Sequence, residues 1–185
     1  MPDARIKGTC VASVMRLLRE EHKQDEVLER LEQKVRDVFT GPILPVNWYP
    51  LQSYISLLNA IQKSYPGEGK DVGFRVGRRI MRDGLSSVYK VILKVASPEM
   101  VLKKAGMLWG FYFKESKLTI VEEHHCNLLL SVTDDCRPTP VYCQSLAGGM
   151  AETAERAGAR DCRVIHPQCR AAGGRVCLFR ITWDE

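Results

Sequence analysis

Apolar positions recur every three or four residues through the first two-thirds of the chain, and the interval then shortens to two. Val11, Val14, Met15 and Leu18 fall at helical spacing after a short extended piece at Ile6 to Gly8. Val27, Leu28, Leu31, Val35, Val38 and Phe39 continue in that period and predict one helix from Asp25 to Phe39. Its acidic start suits the positive end of the helix dipole. Thr40-Gly41-Pro42 to Pro45 is a break. Pro50 fits a first helical turn, and Leu51, Tyr54, Ile55, Leu58 and Ile61 share a face after it. Three further helices follow a Pro/Gly turn. One runs from Asp71 to Asp83, one carries Leu85, Val88, Tyr89, Ile92 and Leu93, and one opens at Ser97-Pro98-Glu99. The face of the last is Leu102, Ala105, Leu108, Trp109 and Tyr112. Gly73 and Gly77, one helical turn apart, allow another element to come close.

Lys117 to Glu122 and Cys126 to Val132 read as two strands joined by a turn at Glu123 to His125. Pro138 to Gly158 returns to helix, with Cys143, Leu146, Ala147, Met150, Ala154 and Ala157 on one stripe. Cys162 to His166 and Val176 to Trp183 form a closing hairpin around Gly173-Gly174. In its last strand Cys177, Phe179, Ile181 and Trp183 alternate with polar or exposed positions and are the core face. The expected fold class is therefore α+β: a mainly antiparallel sheet flanked by helices, with a helical N-terminal half. One domain is expected over 1–185, with a helical part at 1–64 and a ligand-binding part at 71–185.

Composition narrows the function classes. Hydrophobic residues make up 45 % and charged residues 26 % of the 185, ordinary for a globular domain. A net charge of +5 is too mild to argue for nucleic acid, and Arg75, Arg78, Arg79 and Arg82 read as a solvated helix face. No apolar run reaches the ~20 residues of a membrane span, and no leader is visible at the start, so a cytoplasmic protein is expected. Seven cysteines in such a chain raise metal binding ahead of disulfide pairing.

The candidate metal set is Cys143-x22-His166-x2-Cys169-x7-Cys177. Three thiols and an imidazole match the tetrahedral preference of zinc and leave no open position, so the expected zinc is structural. Cys162, on the same strand face as His166, competes as a ligand. The residues from His166 to Trp183 resemble the C-terminal signature of the 4-vinyl-reductase-like domains of the nitric-oxide-signalling/Golgi-transport ligand-binding fold. That superfamily includes sensory domains of phenol-responsive activators and subunits of a transport tethering complex. The resemblance implies the ligand order helix Cys, then Glu-x2-Cys-x7-Cys, with His166 standing where the sensors have Glu. Ile6-Lys7-Gly8, Trp48-Tyr49-Pro50-Leu51, Val88-Tyr89-Lys90-Val91 and Ser97-Pro98-Glu99 resemble a myxobacterial family related to these domains.

The same resemblance implies a pocket between the central helices and the sheet. Its candidate lining is Phe74, Tyr89, Trp109, Phe111, Tyr112 and Phe113, which suits a small hydrophobic molecule or a lipid chain. Haem is disfavoured: Tyr89-Lys90-Val91-Ile92-Leu93 does not match the Tyr-x-Ser-x-Arg of haem nitric-oxide sensors, and only His22 lies on the helices before the first hairpin. No nucleophile motif, phosphate loop or dinucleotide fingerprint is present, so an enzyme is not expected. His124-His125 and Asp134-Asp135 read as exposed turns. The expected function is a stand-alone, zinc-stapled sensory module that signals through a protein partner as a homodimer. The alternative is a dimeric scaffold resembling the tethering-complex subunits.

Overall fold

The computed structural model describes residues 3–69, 71–84 and 98–184. Strand β1 (Arg5–Lys7) leads into α1 (Gly8–Glu20), whose Val11, Val14, Met15 and Leu18 are buried as their spacing requires. The helix expected over 25–39 is two helices, α2 (Gln24–Glu29) and α3 (Gln33–Thr40). The apolar period runs on through the break, but Arg36 reaches back and donates to the carbonyls of Leu28, Glu29 and Leu31 at 2.9, 2.8 and 3.2 Å. Those bonds satisfy acceptors that a helix end otherwise leaves open.

Trp48–Pro50 forms β2, which pairs antiparallel with β1 before α4 (Leu51–Ser64) begins. Helix α5 (Asp71–Gly84) follows. The expected helix of Leu85 to Leu93, with Tyr89, lies outside the described residues. The helix expected from Ser97 is again two pieces, α6 (Pro98–Lys103) and α7 (Ala105–Tyr112). The chain continues as β3 (Phe113–Lys114), β4 (Ser116–His124), β5 (Asn127–Asp134), α8 (Pro140–Arg156), β6 (Arg160–Gln168) and β7 (Cys177–Asp184).

Two antiparallel sheets result, one in the order β2-β1-β3 and one in the order β4-β5-β7-β6. The α+β class is as the sequence pattern requires. In β7, Cys177, Phe179, Ile181 and Trp183 are all buried, so alternation fixed the face correctly. Helices α5 and α8 cross at their glycines. A Cβ on Gly77 would stand 1.8 Å from the Ser145 carbonyl oxygen, and one on Gly148 would stand 2.0 Å from that of Phe74. Only glycine permits this approach, and it sets the helical layer over the sheet.

The arginines of α5 are paired, not simply solvated. Arg75 bonds Glu21 and Glu68, Arg78 bonds Glu152 and Glu155, Arg79 bonds Glu20 and Asp83, and Arg82 bonds Glu152. The basic stripe clips α5 to α1 and α8. No helix among the described residues is long and apolar enough to cross a membrane.

Candidate functional site

Between the two sheets and the helices lies a half-open cavity of about 110 Å³. Its walls come from almost every layer. Ile6 of β1, Cys10 of α1 and Tyr54 of α4 meet Ile80 and Met81 of α5 there. Leu108, Trp109 and Tyr112 of α7 and Phe113 of β3 form one side, with Leu118 and Leu130 from the larger sheet. Tyr142, Ser145, Leu146, Met150 and Thr153 of α8 close the opposite side. Such a lining favours a small neutral guest with few polar atoms.

Three of the aromatics proposed from sequence, Trp109, Tyr112 and Phe113, do line this cavity. Phe74 is half-buried elsewhere, its carbonyl against Gly148, and Phe111 is 52 % exposed on the outer side of α7. Tyr89 lies outside the described residues. Sequence reasoning missed Tyr54 and Tyr142, because each reads as one more apolar position on a helix face. Both are buried, and both hydroxyls lack a hydrogen-bond partner among the described residues. Burial raises both phenols above the ordinary tyrosine range. Burial likewise pushes the Cys10 thiol up to about 12, so it is protonated at neutral pH.

A polar relay leaves the cavity wall. Trp109 Nε1 donates to Ser116 Oγ at 3.1 Å, and Ser116 Oγ donates to Asp134 Oδ2 at 3.3 Å. The fully buried Asp134 carboxylate also accepts from the Arg170 guanidinium, and Arg170 donates to the Asp134 carbonyl at 2.7 Å. Cys136 Sγ donates to the same carboxylate at 2.8 Å.

The relay ends beside the cysteine cluster. Ligand atoms of Cys143, His166, Cys169 and Cys177 all lie within 4.8 Å of one another, and Cys162 is not among them. Helix α8 brings Cys143, the end of β6 brings His166, and the tight turn after it brings Cys169 to the start of β7 and Cys177. Cys143 and Cys169 sulfurs are 3.7 Å apart, and the His166 ring stacks on Phe179 with centroids 4.3 Å apart. A hydrogen bond to Cys177, then burial, drives the Cys143 thiol up. The same bond, with help from His166 and Arg170, holds Cys177 down. His124 and His125 sit exposed at the β4–β5 tip and are not among the converging ligand atoms.

No protein-family model and no curated protein matches the chain. Solved structures do. An Fe(II) unliganded H-NOX protein mutant from K. algicida superimposes with a TM-score of 0.75 at 14 % identity, covering 97 % of each chain. An Fe(II) H-NOX mutant from S. oneidensis gives 0.74 at 14 % identity, again over 97 % of each chain. The fold is that of the H-NOX domains. A further H-NOX structure, from Shewanella woodyi, bound to IWP-051 in the Fe(II)CO state, gives 0.64 at 16 % identity, covering 96 % of this chain and 94 % of that one.

This corrects two expectations. The 4-vinyl-reductase-like resemblance rested chiefly on the strand–turn–strand motif at 166–183, with weaker motifs in the N-terminal two-thirds of the chain. The H-NOX likeness spans the chain. Zinc as the cofactor was carried largely by that resemblance. The solved structures with this fold are instead Fe(II) proteins, one described in terms of haem distortion. The convergence of Cys143, His166, Cys169 and Cys177 is by itself weak evidence for zinc, because side chains of these types can also meet in a corner of a fold that holds no ion.

The H-NOX fold implies haem, and the described cavity residues do not fit it. Protein ligands to haem iron are histidine, cysteine thiolate, methionine paired with histidine, or tyrosinate. None of the four histidines lines the cavity. Among the described lining residues, burial disfavours the thiolate of Cys10 and the phenolates of Tyr54 and Tyr142, and the other candidate atoms are the thioethers of Met81 and Met150. No lysine or arginine among the described lining residues could pair with propionates. The volume, about 110 Å³, is also well below the roughly 300–1,000 Å³ of cofactor-sized sites.

Proposed function

We propose that this chain is a sensory binding module, and not an enzyme, whose cavity takes a small apolar molecule and whose helices report occupancy to a protein partner. The observation that carries the reading is one apolar space walled by α1, α4, α5, α7, α8 and both sheets at once. Filling it changes packing against every layer. The H-NOX structures with NO, CO or IWP-051 bound support the idea that this fold holds small ligands.

Helix α7 is the natural output element. Leu108, Trp109 and Tyr112 face the cavity, while Met107 and Phe111 are 59 % and 52 % exposed on its other side. None of its side chains is fully buried, so it can shift at low cost. The Trp109–Ser116–Asp134–Arg170 relay offers a second path, toward the cysteine cluster.

Thermal melting in saturating cyclopentane tests the reading. A guest that binds only the folded state raises Tm with concentration. Ala105→Phe, which fills the space from α7, should abolish that rise. An unchanged Tm in the parent protein, or a rise that survives Ala105→Phe, would overturn it.

A further inference from the structure

The cavity pairs an apolar lining with two orphaned hydroxyls, a combination the proposed sensory reading does not by itself explain. Tyr54 and Tyr142 are 1 % exposed, border the cavity from α4 and α8, and have no hydrogen-bond partner among the described residues. A buried hydroxyl left without a partner costs roughly 1–3 kcal/mol. Two of them on one cavity mark the place where a ligand's polar atom belongs. Ser145, one turn along α8 from Tyr142, adds a third hydroxyl to the same wall, close enough to Tyr54 to offset a little of the rise that burial gives its phenol but outside hydrogen-bond geometry.

The size of the space limits the guest. An apolar cavity on the order of 150 Å³ accommodates benzene or xenon. About 110 Å³ therefore suits one small ring or a comparably compact molecule, not a lipid chain and not a porphyrin. Charge limits it further. With no ionised side chain on the described lining, a charged guest would lose its hydration without repayment.

We infer that the cavity binds a small neutral molecule directly, with no haem, and that Tyr54 and Tyr142 donate hydrogen bonds to that molecule's oxygen atom. The inference rests on the cavity being a binding site, and it adds the chemistry of the occupant and the absence of iron from its recognition. Each phenol stays protonated, so it donates; the guest's carbonyl or ether oxygen accepts.

Two matched probes, cyclopentanone and cyclopentane, separate the polar contact from simple filling. Their affinities are measured by NMR titration on the parent protein and on Tyr54→Phe, Tyr142→Phe and the double variant. The double variant should bind cyclopentanone at least about fivefold more weakly, the worth of one ordinary hydrogen bond, and cyclopentane no more weakly than the parent. In the absence of guest each Tyr→Phe variant should melt at or above the parent temperature, because an unpaired hydroxyl has been removed. Haemin added to the purified protein should give no stoichiometric shift of its Soret absorbance. The inference is overturned by unchanged cyclopentanone affinity in the double variant, by a lowered Tm in both single variants, or by stoichiometric haemin binding. Failure of cyclopentane itself to bind the parent would bring down the sensory reading beneath it, and the inference with it.

Discussion

Glu152 has a side chain only 5 % exposed, and Arg78, Arg82 and Arg156 lie around it at 3.0, 3.3 and 2.8 Å. Burial pushes its carboxyl up, but hydrogen bonds from Arg82 and Arg156 and the charges of Arg82 and Arg78 together hold it below the ordinary glutamate range. A folded-state value below the unfolded one means the stabilisation is complete above the unfolded pKa. It is lost as pH falls through the folded pKa. Glu152→Gln should therefore cost about 1–2 kcal/mol in urea denaturation at pH 7, discounted for the partial exposure of the arginines. The difference from the parent should shrink once the pH is taken below the folded pKa. The pairs with Arg78 and Arg82 were not legible in the sequence. An acid on α8 and a basic stripe on α5 are seventy residues apart, and only the helix crossing joins them.

Glycines give a sharper residue-scale contrast. Gly77→Ala places a Cβ against the Ser145 backbone, which cannot swing aside, and should destabilise by about 2 kcal/mol or more. Gly67→Ala meets nothing within 4 Å and should stay within about 0.5 kcal/mol. Chemical denaturation of the pair reads both. The spacing of Gly73 and Gly77 did announce close approach, because a four-residue interval puts both on one face of α5.

At the scale of elements, periodicity located the long helices and the β7 face, and the extended piece near Ile6 is β1, but the breaks and the short strands β2 and β3 were missed. Val27 to Phe39 keeps its period across the α2–α3 junction, so nothing apolar marks the end of α2. The mark is Arg36 on the Leu28, Glu29 and Leu31 carbonyls. Arg36→Ala should loosen that junction, with faster amide exchange through residues 28–32 measured by hydrogen–deuterium exchange. Strands β1 and β2 are three residues each, too short to show alternation, yet Ile6 on β1 is a cavity wall. Helix α7 carries the element-scale prediction of function. Binding of a guest should slow amide exchange through 105–112 more than at the exposed β4–β5 tip.

For the whole molecule, the α+β class was readable and the family resemblance was not reliable. The class follows from the change of period near residue 116, which is a property of the entire chain. The most specific part of the resemblance was the last twenty residues, where a cysteine-bearing hairpin drew the reading toward zinc. The Cys143, His166, Cys169 and Cys177 side chains do converge, since strand register and helix start place them together. That convergence describes a corner of the fold and not its cofactor. The cavity, by contrast, is assembled from residues between 6 and 153, and no local pattern could announce it.

Its occupancy is therefore the point on which the account turns. Crystals held under xenon pressure and measured for xenon anomalous scattering answer it directly. One ordered xenon bounded by Tyr54, Leu108, Leu130 and Met150 is the expected result. Diffraction that shows those side chains packed against one another, with xenon only on the surface, would contradict it.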